Sequence, residues 1–317
     1  MFLRCFFAGL LLLADAMAAF QPPTPEDRQR AVGNLDELPA EIRPLFTPDG
    51  DFRPVPTPGT TDWLFQHNET GQTFNQYRAS KANHPSAPRN VIYLLPLGEF
   101  PEETTPDLEL VRNYTAAFYQ MEVRLLPGYL PHDLEFTPRK NSRSAQRQVL
   151  APDVMAYLKT RLPEDAYCLL GVTMEDLYPK PTWNFVFGQA SLVERVGIFS
   201  LARYDPAFWG DERGKDYRDV ILQRTCKVLV HEAAHMFGLP HCIHFECVVN
   251  GSNSMAETDA QPQHLCVVCL RKIYLATGFD PVRRYRDLAA FYRERKWWDE
   301  LDFVNRQLAR LPAPASQ

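Results

Sequence analysis

The chain has 317 residues, 45% hydrophobic and 23% charged, which is enough to bury a substantial core in one large domain or two small ones. Its formal net charge of −5 leaves no basic excess, and this argues against a nucleic-acid-binding role. No internal repeat is visible.

Residues 1–4 form a short basic start, residues 6–13 are almost wholly apolar, and Ala16-Met17-Ala18 offers a small-x-small cleavage site. This is the layout of a secretory signal peptide over residues 1–19. The apolar run is shorter than the about 20 residues that span a bilayer, so no stable membrane insertion is expected after cleavage. Export to a periplasm or medium is the expectation; an uncleaved anchor or a misplaced start is the alternative. Cleavage removes Cys5 and leaves six of the seven cysteines.

Residues 20–60 carry nine of the 27 prolines and read as an extended, proline-rich N-terminal arm. The packed part is expected to start near Val91. Residues 91–95 are a short apolar run that suits a buried strand, and 107–121 follow with helical spacing. A strand over 122–126, a helix over 149–162 and a strand over 167–172 complete a β-α-β-α-β order, which points to an α/β sheet. Residues 184–190 and 196–204 are further strand candidates. Residues 217–237 form a long helical stretch, and 281–317 is expected to be a C-terminal tail with two docked helices. The basic stretch 139–147 reads as a solvated loop. N-x-S/T sequons begin at Asn68, Asn113 and Asn250.

The chemistry is carried by His231-Glu232-Ala233-Ala234-His235-Met236-Phe237-Gly238-Leu239-Pro240-His241. Residues i and i+4 share a helix face, so His231 and His235 can aim their imidazoles at one point. Zinc favours a tetrahedron of such nitrogens, with one position open for water in catalytic sites. His241 supplies a third ligand if the helix stops and the chain turns back. Gly238 can take the left-handed conformation that such a stop requires, and Pro240 prevents the helix from resuming. Glu232 is placed as the general base, accepting a proton from a metal-polarised water and returning it to the leaving amine. The next feature is a cysteine cluster. Cys242 and Cys247 are four residues apart, Cys266 and Cys269 two apart, and four thiolates can close a structural zinc site. Disulfides among the same cysteines are the alternative in an oxidising compartment. Cys168 and Cys226 read as buried free thiols.

His231-Glu232-x-x-His235-x-x-Gly238-x-x-His241-Cys242-x4-Cys247, closed by Cys266-x-x-Cys269, resembles the archaemetzincins and most of all their eukaryotic-type members. The resemblance extends through Asp176-Leu177-Tyr178-Pro179, Trp183-Asn184-Phe185-Val186-Phe187-Gly188-Gln189-Ala190 and Gly197-Ile198-Phe199-Ser200. It implies an α/β, metzincin-like zincin domain over residues 61–280, with a twisted mixed sheet, an active-site helix and a mostly helical C-terminal subdomain. It also implies two Zn²⁺ per chain, one catalytic and one structural, and a peptide or protein substrate lying near residues 196–204 by strand addition. Familiar members look cytoplasmic, which is the alternative location. One departure concerns the methionine that metzincins place below the metal. The corresponding position here is Val249, with Met255 the nearest substitute. A zinc metallopeptidase is therefore expected, with a zinc-containing peptide-binding protein of little turnover and a hydrolase of non-peptide amides as alternatives. Arg203 and Tyr204 are possible neighbours of the site by position alone.

Overall fold

The structure, a computed structural model, describes residues 20–129 and 136–312, so the expected signal peptide lies outside the described residues. The N-terminal elements are the short helices α1 (Pro25–Val32), α2 (Trp63–Gln66) and α3 (Phe74–Ala79). The sheet region then runs β1 (Val91–Leu97), α4 (Leu108–Tyr119), β2 (Glu122–Leu125), β3 (Pro138–Lys140), β4 (Arg147–Leu150), α5 (Ala151–Thr160) and β5 (Ala166–Thr173). It continues through β6 (Asp176–Tyr178), β7 (Gly188–Ala190) and β8 (Val196–Ser200) into the long helix α6 (Tyr217–Met236). Helices α7 (Met255–Ala260), α8 (Val267–Thr277), α9 (Pro281–Arg295) and α10 (Trp298–Ala309) complete the fold. Among the described residues no helix is long and apolar enough to cross a membrane.

The main sheet has the order β2-β1-β5-β8-β7. Its first four strands are mutually parallel, and β7 pairs antiparallel with β8 at the edge. Every residue of β1 and β5 is buried because both faces of the sheet are covered. Alternate side chains sort to opposite faces. Ile92, Leu94, Leu170 and Val172 pack into the main core with α4 and α6, while Val91, Tyr93, Leu95 and Leu169 meet α5. The mixed α/β architecture is thus present.

Several expectations shift in detail. Within 184–190 only Gly188–Ala190 pairs as a strand, with Val186 making a lone bridge to Leu177. The stretch 196–204 leaves the sheet after Ser200, and as β8 it lies beside the edge strand β7. A second sheet, β3-β4-β6, was not anticipated. Residues 20–60 are not an extended arm. Two of their nine prolines start short helices, Pro25 in the first turn of α1 and Pro44 in that of the 3-10 turn Arg43–Phe46, positions where a missing N–H costs nothing. Ala31, Val32, Leu45, Phe46 and Phe52 are buried in the same core as Val304 of α10. Arg271 holds this segment from α8 by donating to the carbonyls of Val32 and Asn34, each at 2.5 Å.

Candidate functional site

The site is built at the end of α6. Its last two turns carry His231, Glu232 and His235, and the chain reverses at Gly238, whose φ of 81° lies in the left-handed region. A side chain there would also collide with Ala82, since its Cβ would stand 2.7 Å from the Ala82 Cβ. Gly238 is therefore required both by conformation and by close approach. Past it, His241 swings back, and one nitrogen from each of the three histidines lies within 4.8 Å of the others.

The outward nitrogens show which atoms are left to bind. His231 Nδ1 meets the Val248 carbonyl at 2.9 Å, His235 Nδ1 the Leu239 carbonyl at 2.7 Å, and His241 Nδ1 the Glu69 carboxylate at 2.8 Å. Each acceptor fixes the proton on Nδ1, so each Nε2 carries a lone pair. The Nε2 atoms of His231 and His235 stand 3.1 Å apart, close to the roughly 3.3 Å edge of a tetrahedron with 2.0–2.1 Å zinc–nitrogen bonds. Two facing lone pairs repel unless a cation sits between them, so the donor set fits zinc. Burial holds both helix histidines below their ordinary range, His235 at about 4, which keeps the imidazoles neutral as ligation needs.

Glu232 is buried beside these histidines and lines the same cleft, which has a volume of about 860 Å³. Burial alone pushes its carboxyl up to about 8. A cation held by its neighbours opposes that push. The carboxylate reaches its place because β7 has no side chain at Gly188. A Cβ there would stand 2.4 Å from Glu232 Oε1.

Cys242, Cys247, Cys266 and Cys269 are all buried, and their sulfurs lie within 4.8 Å of one another. Cys242 and Cys266 are 3.6 Å apart, far from a 2.05 Å disulfide and near the roughly 3.8 Å edge of a four-thiolate zinc site. Hydrogen bonds from the other three thiols hold Cys242 well below its ordinary range, whereas burial drives Cys266 well above. Four such groups ionise together only around a cation. The backbone N–H groups of Val249 and Cys266 also point at Cys247 Sγ, at 3.5 and 3.3 Å. Cys168 and Cys226 are buried, free and outside this cluster, as expected.

A model of Peptidase family M54 matches residues 155–274. Archaemetzincin-2 of Macaca fascicularis is 36% identical over 283 residues, covering 80% of this chain and 77% of that one. Archaemetzincin-2 of Homo sapiens matches with the same identity and coverage. The chain belongs to the archaemetzincin family. It is thereby a zinc metallopeptidase, whose substrate is a peptide or protein. A solved archaemetzincin from Methanopyrus kandleri is 27% identical, covers 61% of this chain and 97% of that one, and has a TM-score of 0.46.

Sequence reasoning missed two residues of this archaemetzincin site. Glu69 lies 172 residues before the histidine that it orients and outside the matched stretch 155–274. Its carboxyl is pushed up by burial, but bonds from His241 and Trp63 outweigh this and hold it below the usual range. Gly188 stands out in the sequence only as part of a motif. Conversely, Arg203 and Tyr204 do not line the cleft. Arg203 forms a buried pair with Asp176 at 2.7 Å, and Tyr204 is packed in the core near Glu232, where burial and then the Glu232 carboxylate push its phenol up. Met255 is buried at the start of α7, whereas Val248, Ser252, Asn253 and Ser254 of this region line the cleft.

Proposed function

We propose that this cleft hydrolyses peptide bonds with His231, His235 and His241 holding a catalytic zinc, Glu232 acting as general base, and Cys242, Cys247, Cys266 and Cys269 holding a structural zinc. The observation that carries the reading is the convergence of three oriented Nε2 atoms beside a buried carboxylate in one cleft. Bound there, zinc supplies Lewis acidity that lowers the pKa of a water and polarises a carbonyl. Glu232, next in sequence to a ligand but turned against Gly188, is free to take a proton from that water. Its burial gives it the basicity to keep the proton until it is passed to the leaving amine. The metzincin-like character is supported by β7, whose free edge beside α6 offers main-chain groups to an extended substrate. Export remains part of this proposal, on the strength of the pattern in residues 1–19.

A second reading, a zinc-containing peptide binder with little turnover, is favoured only by Val249 standing where a methionine is expected. A binder has no use for a base at position 232. The test is zinc content and peptide-library cleavage for the wild type and Glu232→Ala. Cleavage by the wild type that the variant loses, with zinc retained in both, supports the peptidase; equal residual cleavage in both sinks it. Two zincs per chain, one lost in Cys266→Ser, supports the structural site, and a single zinc in the wild type counts against it.

A further inference from the structure

The basic stretch 139–147, expected as a solvated loop, divides into three fates. Arg139 is committed to the wall of the cleft, donating to the carbonyls of Pro181 at 3.0 Å, Trp183 at 2.6 Å and Asn184 at 2.8 Å. Arg147 pairs with Glu175 at 2.6 Å. Arg143 is different. It is exposed, it lines the same cleft as His231 and Glu232, and its guanidinium has no partner among the described residues.

Its position is nevertheless held. The Arg143 N–H donates to Asn141 Oδ1 at 2.8 Å, and buried Asn141 donates in turn to Asn184, at 3.1 Å to the carbonyl and 2.8 Å to Oδ1. From there the wall continues toward the metal centre as a row of rings. Trp183 stacks on His67 with centroids 5.6 Å apart, His67 meets Trp63 at 4.0 Å, and Trp63 stands edge-on to His241 at 4.9 Å. The other cation of the cleft, Lys227, is saturated by the carbonyls of Thr258, Asp259 and Gln261. Among the described residues, Arg143 is therefore the cleft cation left to meet a ligand.

We infer that Arg143 is a specificity-determining residue that binds a carboxylate of the substrate, either an Asp or Glu side chain or the C-terminus, within about four residues of the scissile bond. The inference rests on the peptidase reading above. The scale of the reach comes from the wall between Arg143 and Glu232: Asn184, to which the Arg143 loop is tied, precedes Gly188, the neighbour of Glu232, by four residues, at most about 14 Å of extended backbone. An extended peptide covers that span in about four residues at roughly 3.3 Å each. Guanidinium matches a carboxylate with two parallel hydrogen bonds, a geometry that lysine cannot copy. The local cation also matters because the chain as a whole, at −5, repels acidic peptides.

The test uses otherwise neutral peptides with Glu, Gln or Lys at each of four positions on either side of one cleavage site. A parallel set with free or amidated C-termini separates the two sources of the carboxylate. At one position, or with the free terminus, the wild type is expected to favour the carboxylate by about fivefold in kcat/KM, the size of a solvent-accessible ion pair. Arg143→Glu should reverse that order. Lys140→Glu, the same charge reversal on β3 outside the cleft, should keep it. No preference in the wild type, or an equal shift from Lys140→Glu, overturns the inference. Fluorescence anisotropy with Glu232→Gln reads the same ratio as binding, without turnover. Selective binding by a wild type that cleaves nothing would sink the peptidase reading and leave Arg143 standing. Equal binding of Glu and Lys peptides, or no binding at all, would sink the role of Arg143.

Discussion

Replacing Gly188 by alanine introduces one methyl group where the Glu232 carboxyl now lies. The added carbon would stand 2.4 Å from Oε1, 2.6 Å from Cδ and 2.8 Å from Cγ of Glu232. Carbon atoms in contact normally sit about 3.5–4.0 Å apart, so roughly 1 Å must be found. Rotating the terminal carboxylate does not provide it, because Cγ also clashes. Moving β7 is opposed by its pairing with β8, in which Gly188 faces Phe199. The side chain of Glu232 must therefore leave its place. A misplacement of about 1 Å costs roughly 100-fold in rate, or about 2.7 kcal/mol of transition-state stabilisation. Strain from overpacking should lower stability by about 1–3 kcal/mol at the same time. The zinc should stay, since the partners that orient the three histidines are Val248, Leu239 and Glu69, whereas the atoms nearest the new methyl all belong to Glu232. The assay is kcat on a cleaved peptide with zinc measured on the same preparation. Glu232→Asp, one methylene shorter, should cost less in the alanine background than in the wild type, because the two sites are in contact. Wild-type kcat in Gly188→Ala with full zinc would refute the reasoning.

Removing the carboxylate behind the third ligand, in Glu69→Ala, should weaken catalytic zinc about 10–100-fold in chelator competition, the usual effect of losing a carboxylate that orients a ligating histidine. Unchanged affinity would show that His241 needs no such support. Lys227 gives a pH prediction. Burial lowers its ammonium from 10.5 to about 8. The folded state therefore binds fewer protons than the unfolded state between those values, so this group adds stability that is fully present above 10.5 and lost as pH falls through 8. The swing is at most about 3 kcal/mol. Denaturant titrations of the wild type and Lys227→Met from pH 7.5 to 10.5 should show a rise in the wild type that the variant lacks; parallel curves would dismiss the shift.

The parts of the site written locally could be read from the sequence, and the parts assembled from a distance could not. His231 and His235 share a face through the helical period alone, and Gly238 announces the stop by its residue type. The cysteines give themselves away by spacing. The two interior strands β1 and β5 are legible because both faces are apolar. Glu69 has no such signal, since an acidic residue between Asn68 and Thr70 looks like any surface position until the fold brings it to His241. The second sheet was hidden because β3 is Pro-Arg-Lys, three residues with no apolar alternation, and its pairing with β4 depends on the turn between them. The N-terminal stretch departs from an extended arm because Pro25 and Pro44, at the first turns of helices, act as starters rather than breakers.

The contacts of the cysteine cluster explain why it lies immediately after the third histidine. Cys242 is tied to the loop by its N–H to the Val249 carbonyl at 2.9 Å, and Asn250 donates back to the Cys242 carbonyl at 2.7 Å. That loop presents the Val248 carbonyl to His231. On the other side, Cys266 caps α8 and Cys269 lies in its first turn. One turn further on, Lys272 donates to the Gln72 carbonyl at 2.6 Å, three residues from Glu69. Ile243 closes the same contact, lying where a side chain on Gly71 would be. Two of the three histidine orienters thus depend on backbone that the cysteines pin, one from the loop and one from the N-terminal segment. The proposed metal centre, which draws on residues 69, 231, 235, 241 and 248, needs separate chain segments to arrive in register. The proposed four-cysteine zinc site, placed between them, would fix two of those segments at once, where hydrophobic packing alone would leave each free to slide.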